Sequence, residues 1–128
     1  MNKKVFVIED EKDVVDLYRI ELEAYDYEVE SFETGKKAID KIKEIIKEDG
    51  EAPKVIILDL LLPDISGLAI LGELRGRPIF DKTLVIVLTN YVSESLQESV
   101  KQMENVEYLP KVDTTPQRLV ELIKEKAL

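Results

Sequence analysis

The sequence predicts an α/β domain: a doubly wound (βα)5 unit around a five-stranded parallel sheet in the order 2-1-3-4-5. Three observations carry this prediction. Five short apolar runs are spread along the chain, and three are nearly continuous and β-branched-rich, which is how strands covered on both faces read. Amphipathic helical patterns fill the gaps, and strands alternating with helices imply a parallel sheet with helices on both faces and right-handed connections. The length, 128 residues, suits one domain over 1–128 and leaves no room for two.

The first strand is Val5-Phe6-Val7-Ile8. The helix after it covers roughly 12–25, with Val14, Leu17, Tyr18, Glu21, Leu22 and Tyr25 at three-to-four spacing. The second run, Tyr27 to Phe32, alternates apolar and acidic residues as an edge strand does. Ala38, Ile39, Ile42, Ile45 and Ile46 mark helix 2, with Thr34 as its N-cap and Gly50 past its end. Val55-Ile56-Ile57-Leu58 is the third strand, and Leu68, Leu71 and Leu74 mark a shorter helix before a Gly76/Pro78 break. Leu84 to Leu88 is the fourth strand, and Ser93 caps a fourth helix carrying Leu96, Val100 and Met103. Val106 to Leu109 is the last strand, and Thr115-Pro116 opens helix 5 with the stripe Leu119, Leu122, Ile123 and Ala127. Tyr18, Tyr25 and Tyr27 read as core or rim aromatics.

Composition removes several function classes. Eighteen basic against 27 acidic residues give a net charge of −9, and no basic patch is visible, so direct nucleic-acid binding is not expected. With no cysteine, disulfides, thiol catalysis and zinc–thiolate sites are excluded. With no histidine, a Ser–His–Asp triad and a phosphohistidine role are excluded too. No run approaches the ~18 apolar residues of a membrane span, and the N-terminal apolar stretch is too short for a signal peptide. The expected compartment is the cytoplasm.

Chemistry must then come from carboxylates, Lys, Ser/Thr or backbone, and such residues sit at the strand ends. Strand 1 runs into Glu9-Asp10-Glu11, strand 3 into Asp59 and strand 4 into Thr89-Asn90, while Lys111 follows strand 5. In a doubly wound sheet these ends converge on the ligand-binding edge, so Glu9, Asp10, Asp59, Thr89 and Lys111 are expected to cluster. Three adjacent carboxylates repel one another; a hard divalent cation offsets this, and oxygen ligands with spare water positions suit Mg²⁺. A metal so held also serves phosphoryl transfer, with Lys111 and the Thr89 hydroxyl available to phosphoryl oxygens and one carboxylate as nucleophile. The residues alone leave open which carboxylate that is.

Four segments together resemble the receiver domain of two-component response regulators, the CheY-like family with its flavodoxin-like fold. They are Val5 to Glu11; Val55 to Pro63 with Gly67 beyond; Val85-Ile86-Val87-Leu88-Thr89; and Tyr108-Leu109-Pro110-Lys111. Each is weak alone; in order, on matching strand ends, they are specific. The resemblance implies Asp59 as phosphoacceptor and Mg²⁺ held by Asp10, Glu9, Asp59 and the backbone carbonyl of Leu61. Thr89 and Lys111 would contact the phosphoryl oxygens, and Thr89 with Tyr108 would be the switch pair. Asn90 and Leu61 would modulate access to the site. The implied partners are a sensor histidine kinase or phosphotransfer protein, and a downstream protein or second copy bound through helix 4, strand 5 and helix 5. Such a chain is a switch that takes part in its own phosphorylation and dephosphorylation, not an enzyme.

The sequence departs from the family pattern in four places, one of them the somewhat long and acidic region Lys47 to Pro53. Val112 stands where receivers carry Pro, often after a cis peptide; a non-proline cis bond costs ~3 kcal/mol, which leaves the geometry after Lys111 open. Asn90 is bulkier than the usual small residue, which bears on the rate of phosphoryl admission. Glu104-Asn105 replaces the usual Gly-Ala, so that turn should differ. Two other readings compete. A degenerate receiver acting as a phosphorylation-independent interaction module is disfavoured by the intact five-residue set. An aspartate-nucleophile phosphatase of the haloacid-dehalogenase type needs an Asp two residues after the nucleophile, where this chain has Leu61.

Overall fold

The structure, a computed structural model, describes residues 2–90 and 93–127. Five strands, β1 (Lys4–Ile8), β2 (Glu28–Phe32), β3 (Val55–Leu58), β4 (Leu84–Thr89) and β5 (Val106–Pro110), form one parallel sheet in the order β2-β1-β3-β4-β5. Between and after them lie α1 (Lys12–Ala24), α2 (Gly35–Lys47), α3 (Gly67–Arg75), α4 (Glu94–Lys101) and α5 (Pro116–Lys126). The predicted fold class and strand order are both found.

Successive strand residues point to opposite faces, and both faces are covered. Val5, Val7, Ile57, Ile86 and Leu88 pack with Tyr18 and Leu22 of α1 and Leu119 and Ile123 of α5. Phe6, Ile8, Ile56, Leu58, Val85 and Val87 pack with Ile42 of α2, Leu71 and Leu74 of α3 and Val100 of α4. The continuous apolar runs of β1, β3 and β4 follow from this double coverage. At the edge, β2 buries only Phe32 fully, and Arg19 of α1 holds the strand by donating to Val29 O at 2.9 Å.

The helix starts follow the polar residues that precede them. Thr34, Ser66, Ser93 and Thr115 each accept a backbone N–H of the first turn. Helix α2 has a second cap from outside its own chain segment. The Asp64 carboxylate accepts Gly35 N–H at 2.8 Å and Lys36 N–H at 2.9 Å, which fastens the loop after β3 to the helix. These amides, that of Lys36 first, hold the Asp64 carboxyl below its ordinary range.

Two sequence expectations need correction. Leu17 is 58 % exposed, because the sheet-facing stripe of α1 is Val15, Tyr18 and Leu22, and Leu17 falls a full residue angle away from it. Met103 lies beyond α4, whose C-cap is Gln102, so its spacing from Val100 is not a helical repeat. Tyr18 and Tyr27 are buried as expected; Tyr25 is at the rim, with Lys124 Nζ 3.6 Å from its ring centre.

Candidate functional site

The strand register brings the acidic residues together. The Glu9 N–H continues the β1–β2 ladder by donating to Phe32 O, and the Asp59 N–H continues β3 along β1 by donating to Ile8 O. Both residues are therefore fixed by backbone at the carboxyl ends of adjacent strands, and both are buried. Their side chains are held alike. Glu9 accepts the Glu11 amide on Oε1 (3.1 Å) and Lys111 Nζ on Oε2 (2.9 Å). Asp59 accepts the Leu61 amide on Oδ1 (3.0 Å) and Lys111 Nζ on Oδ2 (3.0 Å).

Lys111 arrives from two strands away. It begins a 3₁₀ turn over Lys111–Asp113, directly after β5, and its side chain is only 9 % exposed. A third carboxylate, that of Glu11, also takes the ammonium, at 3.2 Å. The sequence placed Glu11 at the strand end but gave it no role; its acidic neighbours and the position of Lys111 were the available signals.

Electrostatics follow from this crowding. Burial raises the Glu9 carboxyl to about 7; the Lys111 hydrogen bond opposes the rise and the nearby Asp59 adds to it. Burial alone would lower the Lys111 ammonium, but the carboxylates of Glu9 and Asp59 outweigh it and raise its proton affinity. Tyr18, packed beneath the site, is pushed up to about 12 by burial.

The remaining predicted residues fall as follows. Asp10 is exposed, and an oxygen of each of Glu9, Asp10 and Asp59 lies within 4.8 Å of the others. Thr89, at the end of β4, is 1 % exposed and pairs in register with Pro110. Tyr108 pairs with Val87 and is half-buried, packing against the core under α2, α3 and α4. Leu61 is 56 % exposed beside Asp59. Asn90 is exposed, and its Oδ1 accepts the Val112 N–H at 3.1 Å. The Lys111–Val112 peptide is trans, which answers the question left by the missing proline.

Gly67 meets a backbone requirement at the start of α3. A Cβ there would come within 2.5 Å of Asp59 O and 2.6 Å of Leu60 Cα. The start of α3 thus packs directly on the residue bearing the candidate nucleophile.

The donor set fits a hard divalent cation. It offers three carboxylates with oxygens within 4.8 Å of one another, an excess of negative charge over the Lys111 ammonium, and an exposed Asp10 that leaves room for water ligands. Glu9, Asp10 and Asp59 form the one such acidic group among the described residues.

Comparison with known proteins agrees with this fold. Residues 5–124 match the family model of the response regulator receiver domain, and the chain belongs to that family of two-component signalling proteins. It is 32 % identical over 117 residues to the phosphate regulon transcriptional regulatory protein PhoB of Rhizobium meliloti, covering 91 % of this chain but 49 % of PhoB. It therefore spans about half the length of that regulator. It is 29 % identical over 124 residues to the polar-differentiation response regulator DivK of Brucella ovis, covering 97 % of this chain and 95 % of DivK. Among solved structures, the Mn²⁺-bound form of response regulator Rcp1 superposes with a TM-score of 0.79 at 26 % identity, covering 96 % of this chain and 92 % of Rcp1.

Proposed function

We propose that this chain is a single receiver domain over 1–128 that accepts a phosphoryl group on Asp59 from a sensor histidine kinase or phosphotransfer protein in a Mg²⁺-dependent reaction. The observation that carries the reading is Lys111 Nζ lying 3.0 Å from Asp59 Oδ2 and 2.9 Å from Glu9 Oε2, beside the exposed Asp10. An Asp59 carboxylate oxygen attacks phosphorus and forms an acyl phosphate, while the bond to the donor nitrogen breaks and its electron pair leaves with the donor imidazole. Lys111 keeps a fixed positive charge against the oxygens that gain charge, and Thr89, ending the neighbouring strand, supplies a hydroxyl.

Asp10, Glu9, Asp59 and the Leu61 carbonyl would hold Mg²⁺, which when bound neutralises charge on the transferring phosphoryl group. The related response regulator Rcp1 has a Mn²⁺-bound form, which supports a divalent cation as the metal this chain takes. Leu61 and Asn90, both exposed, bear on access. Phosphorylation then moves Thr89 and Tyr108 as a switch pair and reshapes the face of α4, β5 and α5 for a downstream protein or a second copy. The acidic chain acts in the cytoplasm through protein contacts, with no direct contact to nucleic acid or membrane. No helix among the described residues is long and apolar enough to cross a membrane.

Intact-mass measurement after incubation with acetyl phosphate tests the proposal. One phosphoryl group should be added with Mg²⁺ and none with EDTA, and Asp59→Asn should take none. Stoichiometric labelling of Asp59→Asn would refute the assignment.

A further inference from the structure

Asn90 and Val112 depart from the family pattern at separate places in the sequence, yet they touch. The backbone ladder between β4 and β5 ends at the pair Thr89↔Pro110. Beyond it β5 turns into the 3₁₀ turn that carries Lys111, and the first N–H groups of such a turn have no acceptor within it. Pro110, the N-cap, supplies no side-chain acceptor. The turn closes at its far end through Thr114, whose amide donates to Lys111 O at 3.4 Å and whose hydroxyl donates to Pro110 O at 2.8 Å. At its near end the Asn90 carboxamide oxygen accepts the Val112 N–H at 3.1 Å. A side chain thus adds one rung after the backbone ladder stops, and it needs an N–H at position 112, which proline lacks.

From this we infer that Asn90 is a positioning residue: its bond to the Val112 backbone ties the end of β4 to the Lys111 turn and sets the ammonium against Asp59. The inference deepens the phosphorylation reading and rests on it. Lys111 must serve three carboxylates at once, Glu9, Glu11 and Asp59, so a loosened turn lets the ammonium follow the exposed Glu11 away from the nucleophile. The two residues that would contact the phosphoryl oxygens, Thr89 and Lys111, are then linked by one carboxamide next door to each. Asn90 acts through the backbone and need not touch the donor.

The same position has a competing role as a gate, and the two roles predict different kinetics. Loss of positioning lowers the limiting rate of phosphorylation; a widened gate changes the donor concentration that gives half of it. Parent, Asn90→Ala, Val112→Pro, the double variant and the N–H-retaining Val112→Ala are labelled over a range of acetyl phosphate concentrations with saturating Mg²⁺. In parallel, amide exchange at Val112 is followed. Asn90→Ala and Val112→Pro should each lower the limiting rate about three- to tenfold, as loss of one hydrogen bond implies. The double variant should be no slower than the slower single one, and Val112→Ala should match the parent. The Val112 amide should exchange faster in Asn90→Ala.

Additive effects, an unchanged limiting rate, or Val112 exchange that ignores residue 90 would overturn the positioning role while leaving phosphorylation of the parent intact. Faster labelling of Asn90→Ala at low donor alone would make residue 90 a gate and overturn it equally. A parent that takes no phosphoryl group overturns the phosphorylation reading, and the positioning role with it.

Discussion

Two cations hold opposite ends of the same sheet, with different partners. At the carboxyl ends of the strands, Lys111 is bound by the carboxylates of Glu9, Glu11 and Asp59. At the amino ends, Arg75 is bound by three backbone carbonyls: Phe80 O and Thr83 O at 2.8 Å and Asn105 O at 3.2 Å. Arg75 closes α3 onto the connection into β4 and onto the turn before β5. In that turn Asn105 takes a positive φ of 57° and donates its side-chain amide to Asp81 O. Carbonyls are permanent partial charges that neither titrate nor react. Carboxylates do both, and there are more of them around Lys111 than one ammonium neutralises. The amino end of the sheet is built to stay as it is; the carboxyl end is built from groups whose charge can change.

The largest effect should come from breaking the fixed end. Arg75→Ala leaves three carbonyls without their charged donor and should cost about 3 kcal/mol of stability. Urea denaturation should show the same loss with Mg²⁺ and with EDTA, and phosphorylation of the folded variant should be unaffected. Arg75→Lys should recover little, since a point-charge ammonium does not span three acceptors in the way a planar guanidinium does.

The variable end should respond to pH. The folded-state carboxyl of Glu9 stands at about 7 against an ordinary 4.5. A raised carboxyl stabilises the fold fully below its unfolded value and loses that contribution as pH rises through the folded one. Metal-free protein should therefore lose stability between about pH 4.5 and 7, by up to ~3 kcal/mol, and level off above. Glu9→Gln should flatten that slope. Denaturation in EDTA at several pH values checks it, and equal pH dependence of the parent and Glu9→Gln would contradict the raised Glu9 carboxyl.

A smaller effect concerns metal. Mg²⁺ at tenfold excess over its dissociation constant should stabilise the parent by about 1.4 kcal/mol, since the unfolded chain offers no site. Asp10→Asn removes a proposed ligand and a repelling charge together. Its metal-free form should be at least as stable as the metal-free parent, and it should lose most of the Mg²⁺-induced rise in Tm. Paired thermal melts with EDTA and with Mg²⁺ decide this.

The contrast between the two ends also marks what a sequence discloses. Apolar runs such as Val55 to Leu58 announce a strand, and topology then delivers Glu9, Asp59 and Lys111 to one edge. That part follows from periodicity and chain order. The cross-loop bonds do not: Asp64 caps α2, Asn90 caps the Lys111 turn and Arg75 reaches Asn105, 30 residues on. Each joins a polar side chain to a backbone group of a distant segment, and backbone groups leave no mark in the sequence. Glu11 was visible as one more acid in a row, and only the reach of Lys111 across two strands distinguishes it. Leu17 was misread because an apolar residue on a helix is compatible with more than one stripe until the sheet fixes the face.

With Asp59 as the proposed phosphoacceptor, a change of charge there should be felt at the face of α4, β5 and α5 while the Arg75 end stays fixed. Amide hydrogen exchange with and without beryllofluoride and Mg²⁺, a phosphoryl mimic on Asp59, tests it most directly. Exchange should change across 94–101, 106–110 and 116–126 and remain unaltered around Arg75 and Thr83. Changes confined to α1 and α2, or spread to the Arg75 end, would contradict the account.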